Sequence, residues 1–352
     1  MPWKYVYGTN NSETINAADG VTAGNDWIIG GGGHDTIYGL GGDDAIWGGT
    51  GNDTLNGGID DDHLDGGIGN DTLEGWTGDD TYYVDSFWDV VTESGGEGYD
   101  TVYTSVGWAL TPGADVEVLR TTSDTGTAPI YLTGNATGNA IIGNDGNNII
   151  NGGGGEDQMT GRDGDDTYFV DNRYDEVFEA GGQGYDTVRV AVNYTLPEGA
   201  DVERLTTTNP GGLAGYTLIG NSSGNVIVGD NGSNDLLGRG GNDELIGLGG
   251  VDYFVFFDTP LDAATNVDFL SDFNPGEDII ALGPMFGLDD DLFSADQFVV
   301  GVAAQDADDY LVYDIDTGAL SFDADGAGGA DAIQFARLNP GVPLTYLDFF
   351  ID

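Results

Sequence analysis

The chain has 352 residues, and 62 acidic side chains stand against 8 basic ones, for a net charge of −54. That excess excludes nucleic acid and anionic membrane surfaces as electrostatic partners, and it makes a compact cation-free state self-repelling. There is no cysteine, so disulfides and thiol chemistry are excluded and metal is the available staple. Length alone suggests two or three domains. Residues Met1 to Asn10 show no basic region followed by an apolar core and do not read as a signal peptide. No apolar run approaches the roughly 18 residues of a spanning helix, so no membrane span is expected.

Residues 1–20 read as an N-terminal cap. Trp3, Tyr5 and Tyr7 alternate as in a strand, and Gly8 to Asn16 is a degenerate copy of the phrase that follows, with Glu13 and Ile15 in its key places. Residues 21–83 repeat one nine-residue phrase seven times without a gap, starting at Val21, Gly30, Gly39, Gly48, Gly57, Gly66 and Gly75. The sixth position is always Asp: Asp26, Asp35, Asp44, Asp53, Asp62, Asp71 and Asp80. The eighth is always apolar or aromatic: Ile28, Ile37, Ile46, Leu55, Leu64, Leu73 and Tyr82. A disordered Gly/Asp linker needs neither regularity.

Six residues of each phrase are expected to form a turn and three a short strand, with the eighth side chain pointing inward. Two phrases then complete a coil, and residues 18 apart stack. Asp35, Asp53 and Asp71 form one column; Asp26, Asp44, Asp62 and Asp80 form another on the opposite edge. At a coil spacing of about 4.8 Å, two bare carboxylates repel by roughly 3.5 kcal/mol at an effective dielectric near 20. Such columns close only with cations between the rungs. A cage of oxygens alone selects a hard ion, and a loose one favours Ca²⁺ over Mg²⁺. Glycine lets the turn backbone adopt left-handed angles.

The phrase follows the pattern G-G-x-G-x-D-x-U-x, and here the chain resembles the RTX (repeats-in-toxin) family of calcium-binding β-rolls. The resemblance implies that carbonyls and an Asp of one turn, with the same groups 18 residues on, hold each ion. One site would use Gly30, Gly32 and Asp35 with Gly49, Gly51 and Asp53; Gly67, Gly69 and Asp71 continue that edge. The phrase pairs 21/39, 30/48, 39/57, 48/66 and 57/75 imply roughly five ions in this array. Asp60 stands where the pattern has its fourth-position glycine.

Residues 79–164 and 165–250 are a second duplication, aligned at a constant offset of 86 residues. Each copy opens with strand-like text, in the first copy Tyr82–Val84, Asp89–Glu93, Tyr99–Leu110, Val116–Thr121 and Ile130–Leu132. Each ends in four more phrases, starting at Gly134, Gly143, Gly152 and Gly161, then at Gly220, Gly229, Gly238 and Gly247. In each array the first two phrases carry Asn at position six (Asn139, Asn148; Asn225, Asn234) and the last two carry Asp (Asp157, Asp166; Asp243, Asp252). Asn offers an oxygen without charge, so those turns are expected to bind calcium more weakly, leaving about two ions per later array. Asp85 and Asp171 are placed to close the last sites. A duplication without gaps points to a continuous solenoid with longer coils inserted.

Residues 251–352 lose glycine and gain phenylalanine. Phe269 to Leu282 reads as strands around an Asn-Pro-Gly turn, and Tyr310 to Phe322 as a hairpin turning at Asp316–Gly318. Asp323 to Asp331 is an acidic loop and a further candidate calcium site. This block resembles the C-terminal domain of serralysin-type proteases and related exported RTX proteins. The resemblance implies a cap on the roll and an uncleaved type I secretion signal, ending here in Leu347 to Asp352.

No catalytic constellation emerges. His34 and His63 are both expected to be exposed and without special role, and there is no His-Glu-x-x-His. Gly220 to Gly224 spells Gly-x-Ser-x-Gly, but Ser222 is Ala136 in the preceding copy and no His follows it. With 62 acids, a glycosidase-like carboxylate pair is not distinguishable from chance. Trp27 and Trp47 flank inward positions on adjacent coils and could stack on sugar rings, or pack against the cap. The expected architecture is an all-β, parallel β-roll solenoid with three RTX arrays and a C-terminal β-rich cap. The expected function is a secreted calcium-binding protein of a Gram-negative bacterium, exported by a type I exporter, folding on extracellular Ca²⁺ and serving a structural, surface or adhesive role with possible self-assembly. The alternative is an extracellular polysaccharide-active enzyme or a module that binds surface glycans.

Overall fold

The computed structural model describes residues 3–96, 98–257, 261–288, 293–326 and 331–351. Among them every regular element is a strand or a three-residue 3-10 turn. Two compact units divide the chain, Met1–Phe178 and Glu179–Asp352.

In the first unit the chain winds as a coil whose successive strands alternate between facing sheets. One sheet stacks ten parallel strands: Lys4–Tyr7, Asp26–Gly32, Ala45–Thr50, His63–Ile68, Thr81–Val84, Thr101–Thr104, Val118–Thr121, Ala140–Ile142, Gln158–Thr160 and Glu176–Phe178. Opposite run Thr14–Ile15, Thr36–Tyr38, Thr54–Ile59, Thr72–Thr77 and Val90–Thr92, and then Trp108–Ala109, Tyr131–Thr133, Ile149–Asn151 and Thr167–Val170. The eighth-position residues pair across coils, Ile28 with Ile46, Ile46 with Leu64 and Leu64 with Tyr82. All are fully buried, as are Ile37, Leu55 and Leu73 on the other side. The inward column runs on past the array through Val102, Leu119, Ile141, Met159 and Val177. The inserts therefore lengthen corners and keep the register.

Two details differ from expectation. Five strands of the first array are six or seven residues long, because backbone pairing continues through the glycines, as in Gly31 opposite Gly49 and Gly49 opposite Gly67, while Thr36–Tyr38 keeps three. Later arrays keep the three-residue strand. The segment expected as one strand from Tyr99 to Leu110 is two, Thr101–Thr104 and Trp108–Ala109. The Thr104 hydroxyl makes the corner: it donates to the Val106 carbonyl (2.8 Å) and accepts from its N–H (3.1 Å).

Position two takes left-handed backbone in five turns where it is not glycine: Leu40 (φ 81°), Trp76 (78°), Arg162 (86°), Arg239 (71°) and Leu248 (73°). Asp60 at position four does the same, at 76°. Such angles cost about 1–3 kcal/mol for a side-chain-bearing residue and persist only where the surroundings dictate them.

The outer face of the ten-stranded sheet bears a stripe of rings. Trp27 lies against Trp3 (6.3 Å between centroids), Tyr5 (6.1 Å) and Trp47 (4.3 Å); Trp47 meets His63 (5.6 Å), His63 meets Tyr83 (4.7 Å), and Tyr83 stacks on Tyr103 (5.1 Å). The faces of Trp27 and Trp47 are thus turned to neighbours, including the N-terminal strand. His63 is half-buried, not exposed as expected, because its strand position falls between two aromatic coils. Burial holds its pKa below the usual histidine value.

The second unit repeats the plan. One sheet orders Thr187–Val190, Arg204–Thr207, Val226–Val228, Glu244–Ile246, Asp268–Leu270, Ile333–Leu338, Ala319–Phe322, Leu311–Asp314 and Phe298–Val300. The other orders Tyr194–Thr195, Thr217–Ile219, Asp235–Leu237, Tyr253–Phe256, Ile279–Leu282 and Phe349–Ile351. Antiparallel pairing begins at the expected hairpin, Leu311–Asp314 against Ala319–Phe322, closed by Gly318 (φ 80°) donating to the Asp314 carbonyl. Phe256, Phe286, Phe322 and Phe335 fill this end with edge-on ring contacts of 5.0–5.2 Å. Phe349–Ile351 is a parallel edge strand; Asp352 and residues 327–330 of the acidic loop lie outside the described residues.

Leu64→Ala empties a fully buried position between two coils and is expected to cost about 2–5 kcal/mol in urea unfolding at saturating Ca²⁺. Leu213→Ala, at a 79% exposed residue, is expected to cost less than about 0.5 kcal/mol.

Candidate metal centre

The sixth-position aspartates stack as the 18-residue period dictates. From Asp44 to Asp80 each carboxylate accepts the backbone N–H of the aspartate one coil earlier, and Asp35 accepts that of Glu13 (2.9 Å). Asp26 N–H donates to Asp44 Oδ1 (2.7 Å) and Asp44 to Asp62 (2.8 Å); Asp35 donates to Asp53 (2.7 Å) and Asp53 to Asp71 (2.7 Å); Asp62 donates to Asp80 (2.7 Å). One oxygen of each carboxylate is fixed in this way.

The other oxygen has nothing. Oδ2 of Asp35, Asp44, Asp53, Asp62, Asp71 and Asp80 is buried without a hydrogen-bond partner. It lies beside the first glycine of its own turn. A methyl built on Gly30 would come 2.8 Å from Asp35 Oδ2 and 2.6 Å from the Gly48 carbonyl oxygen of the next coil. On Gly48 it would come 2.5 Å from Asp53 Oδ2 and 2.6 Å from the Gly66 carbonyl. At Gly39, Asp44 Oδ2 and the Gly57 carbonyl converge likewise. The missing side chain leaves a space where oxygens converge, with the Cδ1 of Ile37 or Ile46 on its inner side at Gly30 and Gly39.

A buried, unpaired carboxylate cannot stay charged there without compensation. Burial, reinforced by the neighbouring carboxylates and partly offset by the backbone N–H bond, pushes Asp44 up to about 8 and Asp62 to about 9. The same causes raise Asp71 and Asp80 to about 7. Either a proton or a cation must enter. The donor set, carboxylate and carbonyl oxygens with no nitrogen or sulfur, fits Ca²⁺.

The remaining sequence-predicted residues fall into place around these columns. Asp26 Oδ2 accepts from the Thr22 N–H (2.6 Å), and its Oδ1 is buried without a hydrogen-bond partner. Gly49, Gly51, Gly67 and Gly69 each lie against a carbonyl oxygen of the preceding coil, respectively Gly31, Gly33, Gly49 and Gly51. Gly32 sits over the Thr50 hydroxyl. Asp157 repeats the first-array pattern, with Oδ1 taking the Asn139 N–H (2.8 Å) and Oδ2 unpartnered. In the second unit Asp243 Oδ1 takes the Asn225 N–H (2.6 Å), and Asp252 Oδ1 takes that of Asn234 (2.8 Å). Burial raises both Asp243 and the Asp268 stacked on it.

Asn148 and Asn234 turn their amide nitrogens toward carbonyls of the turn; Asn234 Oδ1 accepts the N–H groups of Tyr216 (3.0 Å) and Asp230 (3.4 Å), while Asn148 Oδ1 is buried without a hydrogen-bond partner. Asn148 Nδ2 donates to the carbonyls of Asn144 (2.8 Å), Gly146 and Gly161 (3.3 Å) and to Asp166 Oδ1 (3.1 Å). Asn234 Nδ2 donates to the carbonyls of Asp230 (2.9 Å), Gly232 (2.7 Å) and Gly247 (3.3 Å) and to Asp252 Oδ1 (2.9 Å).

Sequence reasoning placed Asp85 and Asp171 at the ends of the columns. The structure puts Asp89 and Asp175 there: Asp71 N–H donates to Asp89 (2.9 Å) and Asp157 N–H to Asp175 (3.1 Å). Asp85 only donates its own N–H to Asp89 Oδ2 (3.1 Å), and Asp171 does the same to Asp175 (3.2 Å). Both true partners lie at the 18-residue spacing, so counting on by one period finds them. Asp100, Asp268 and Asp278 were missed because inserted residues stretch their spacing to 20, 25 and 26. Ser222 lies exposed in a repeat turn.

Two sheets wound from a nonapeptide, with oxygen-lined cages at the coil edges, define a calcium-type β-roll. The family model of the RTX calcium-binding nonapeptide repeat matches four segments, residues 21–55, 56–87, 133–168 and 219–254. Those four segments of the chain are RTX calcium-binding nonapeptide repeats. No curated protein matches it.

The pKa shifts fix the sign of a pH effect. Carboxylates raised above the ordinary aspartate value of 3.8 stabilise the metal-free roll most below that value, and the stability is lost as pH rises through about 7 to 9. In chelator, the β signal in far-UV circular dichroism is therefore expected to grow from pH 9 to pH 4. A flat or opposite trend contradicts the assignment.

Proposed function

We propose that this calcium-binding protein is secreted, stays unfolded in calcium-poor cytosol and folds as its turns load outside the cell. The observation behind this reading is the stack of buried, unpartnered aspartate oxygens facing carbonyls of the next coil. With a net charge of −54, the metal-free chain resists compaction. Extracellular calcium modules bind at about 10⁻⁴–10⁻³ M, which suits loading only after export. A type I exporter of a Gram-negative bacterium is the proposed route, with the segment ending in Phe349–Ile351 as signal. The segmentation into cap (1–20), first array (21–83), two 86-residue copies (79–164, 165–250) and C-terminal domain (251–352) belongs to the same proposal. So do roughly five ions in the first array and about two in each later one.

The role proposed for the folded roll is structural, at the cell surface or in a matrix. The glycan reading is weakened because Trp27 and Trp47 turn their faces to other rings. Size-exclusion chromatography with light scattering, run in chelator, Mg²⁺ and Ca²⁺, tests the proposal. A large hydrodynamic radius that contracts in Ca²⁺ alone is expected. Equal compactness in all three would contradict it, and a Ca²⁺-dependent rise in mass would reveal self-assembly.

A further inference from the structure

The turn that closes the first array has the same cage with a different lining. Gly75 takes the place of the first glycine, and a methyl there would overlap Asp80 Oδ2 and the Tyr82 hydroxyl. Both atoms are buried and without hydrogen-bond partners, in residues that are 1% and 0% exposed. In earlier turns this space meets an aliphatic Cδ1 instead, that of Ile37 beside Gly30 (3.1 Å) and of Ile46 beside Gly39 (3.2 Å). The Gly75 N–H donates to Glu93 Oε1 (3.0 Å), a carboxylate only 5% exposed, whereas the Gly39 N–H donates to a backbone carbonyl, that of Asn56. The column continues below through Asp100, whose Oδ1 takes the Asp80 N–H (2.8 Å).

We propose that this turn holds a further divalent cation, Ca²⁺ by its all-oxygen donors, bound by Asp80, Glu93 and the Tyr82 phenol oxygen with Asp100 beneath. It rests on the calcium reading above and extends it to residues outside the nonapeptide pattern. A cation satisfies at once Asp80 Oδ2 and the Tyr82 phenol oxygen, both buried and without hydrogen-bond partners. The duplication keeps the whole set in sequence, as Gly161, Asp166, Tyr168, Glu179 and Asp186, each 86 residues on.

The test is bound calcium per chain by equilibrium dialysis on the full protein, with circular dichroism as fold control. Glu93→Gln is expected to bind one ion fewer. Tyr82→Phe, which deletes only the hydroxyl, is expected to hold that ion roughly tenfold more weakly. Wild-type stoichiometry and affinity in both variants would overturn the site while leaving the calcium reading intact. No calcium uptake by the wild type would overturn both.

The asparagine turns show the opposite chemistry. Asn148 and Asn234 each aim an amide nitrogen at two carbonyls of their own turn, one carbonyl of the next coil and the next carboxylate, although Asn148 Oδ1, like the aspartate Oδ2 atoms, is buried without a hydrogen-bond partner. We infer that this amide stands in the cation's place, so that these turns take no calcium and stay closed without it. The two N–H bonds supply the positive end that the oxygen cage needs, at no net charge. Asn148→Asp and Asn234→Asp are each expected to add one bound Ca²⁺ per chain and to lower the melting temperature in chelator. An unchanged count in both variants would show that the asparagine turns already load metal, and would overturn the inference.

Discussion

The structure depends on one repulsion. A period of 18 residues places a carboxylate directly over a carboxylate through the first array, and the coil spacing of about 4.8 Å leaves no room for water to screen them. One oxygen per aspartate is secured by a backbone N–H of the coil before; the second is left facing carbonyls. The inward column of Ile28, Ile46, Leu64 and Tyr82 draws the coils together while the edges push them apart. The balance turns on what enters the cage.

The chain answers that problem in more than one way. Aspartate turns keep an open oxygen cage. The turn of Asp89 closes on itself, its second oxygen taking the N–H groups of Asp85 (3.1 Å) and Ser86 (2.9 Å). Asp278 does likewise with Asn274 (2.8 Å). Asn148 and Asn234 fill the cage with an amide. Cation-demanding and self-satisfied turns thus alternate along one scaffold, and each choice is written in a single residue at position six or its neighbours.

Much of this was legible in the sequence, because a solenoid turns sequence spacing into distance. The columns, the buried eighth position, the continuous register across the inserts and the terminal hairpin all follow from counting. What counting by nine could not supply lay where corners stretch: Asp100, Asp268 and Asp278 sit in register only after extra residues are looped out. The break at Thr104 depends on a hydroxyl choosing its own backbone over the ladder. The orientation of the asparagine amide depends on the carbonyl and carboxylate 13 and 18 residues on as well as on its own turn, and the burial of His63 is decided by rings 16 and 20 residues away. No local pattern encodes them.

The central claim is that cations occupy the spaces beside the first glycines of the aspartate turns, between one coil and the next. The most direct measurement is an anomalous difference map from crystals grown in Ca²⁺, collected at long wavelength. The account predicts peaks beside Gly30, Gly39 and Gly48, each touching the aspartate of its own turn and the glycine carbonyl 18 residues on. A map with those spaces empty, and the aspartates in the same stacked register, would contradict it.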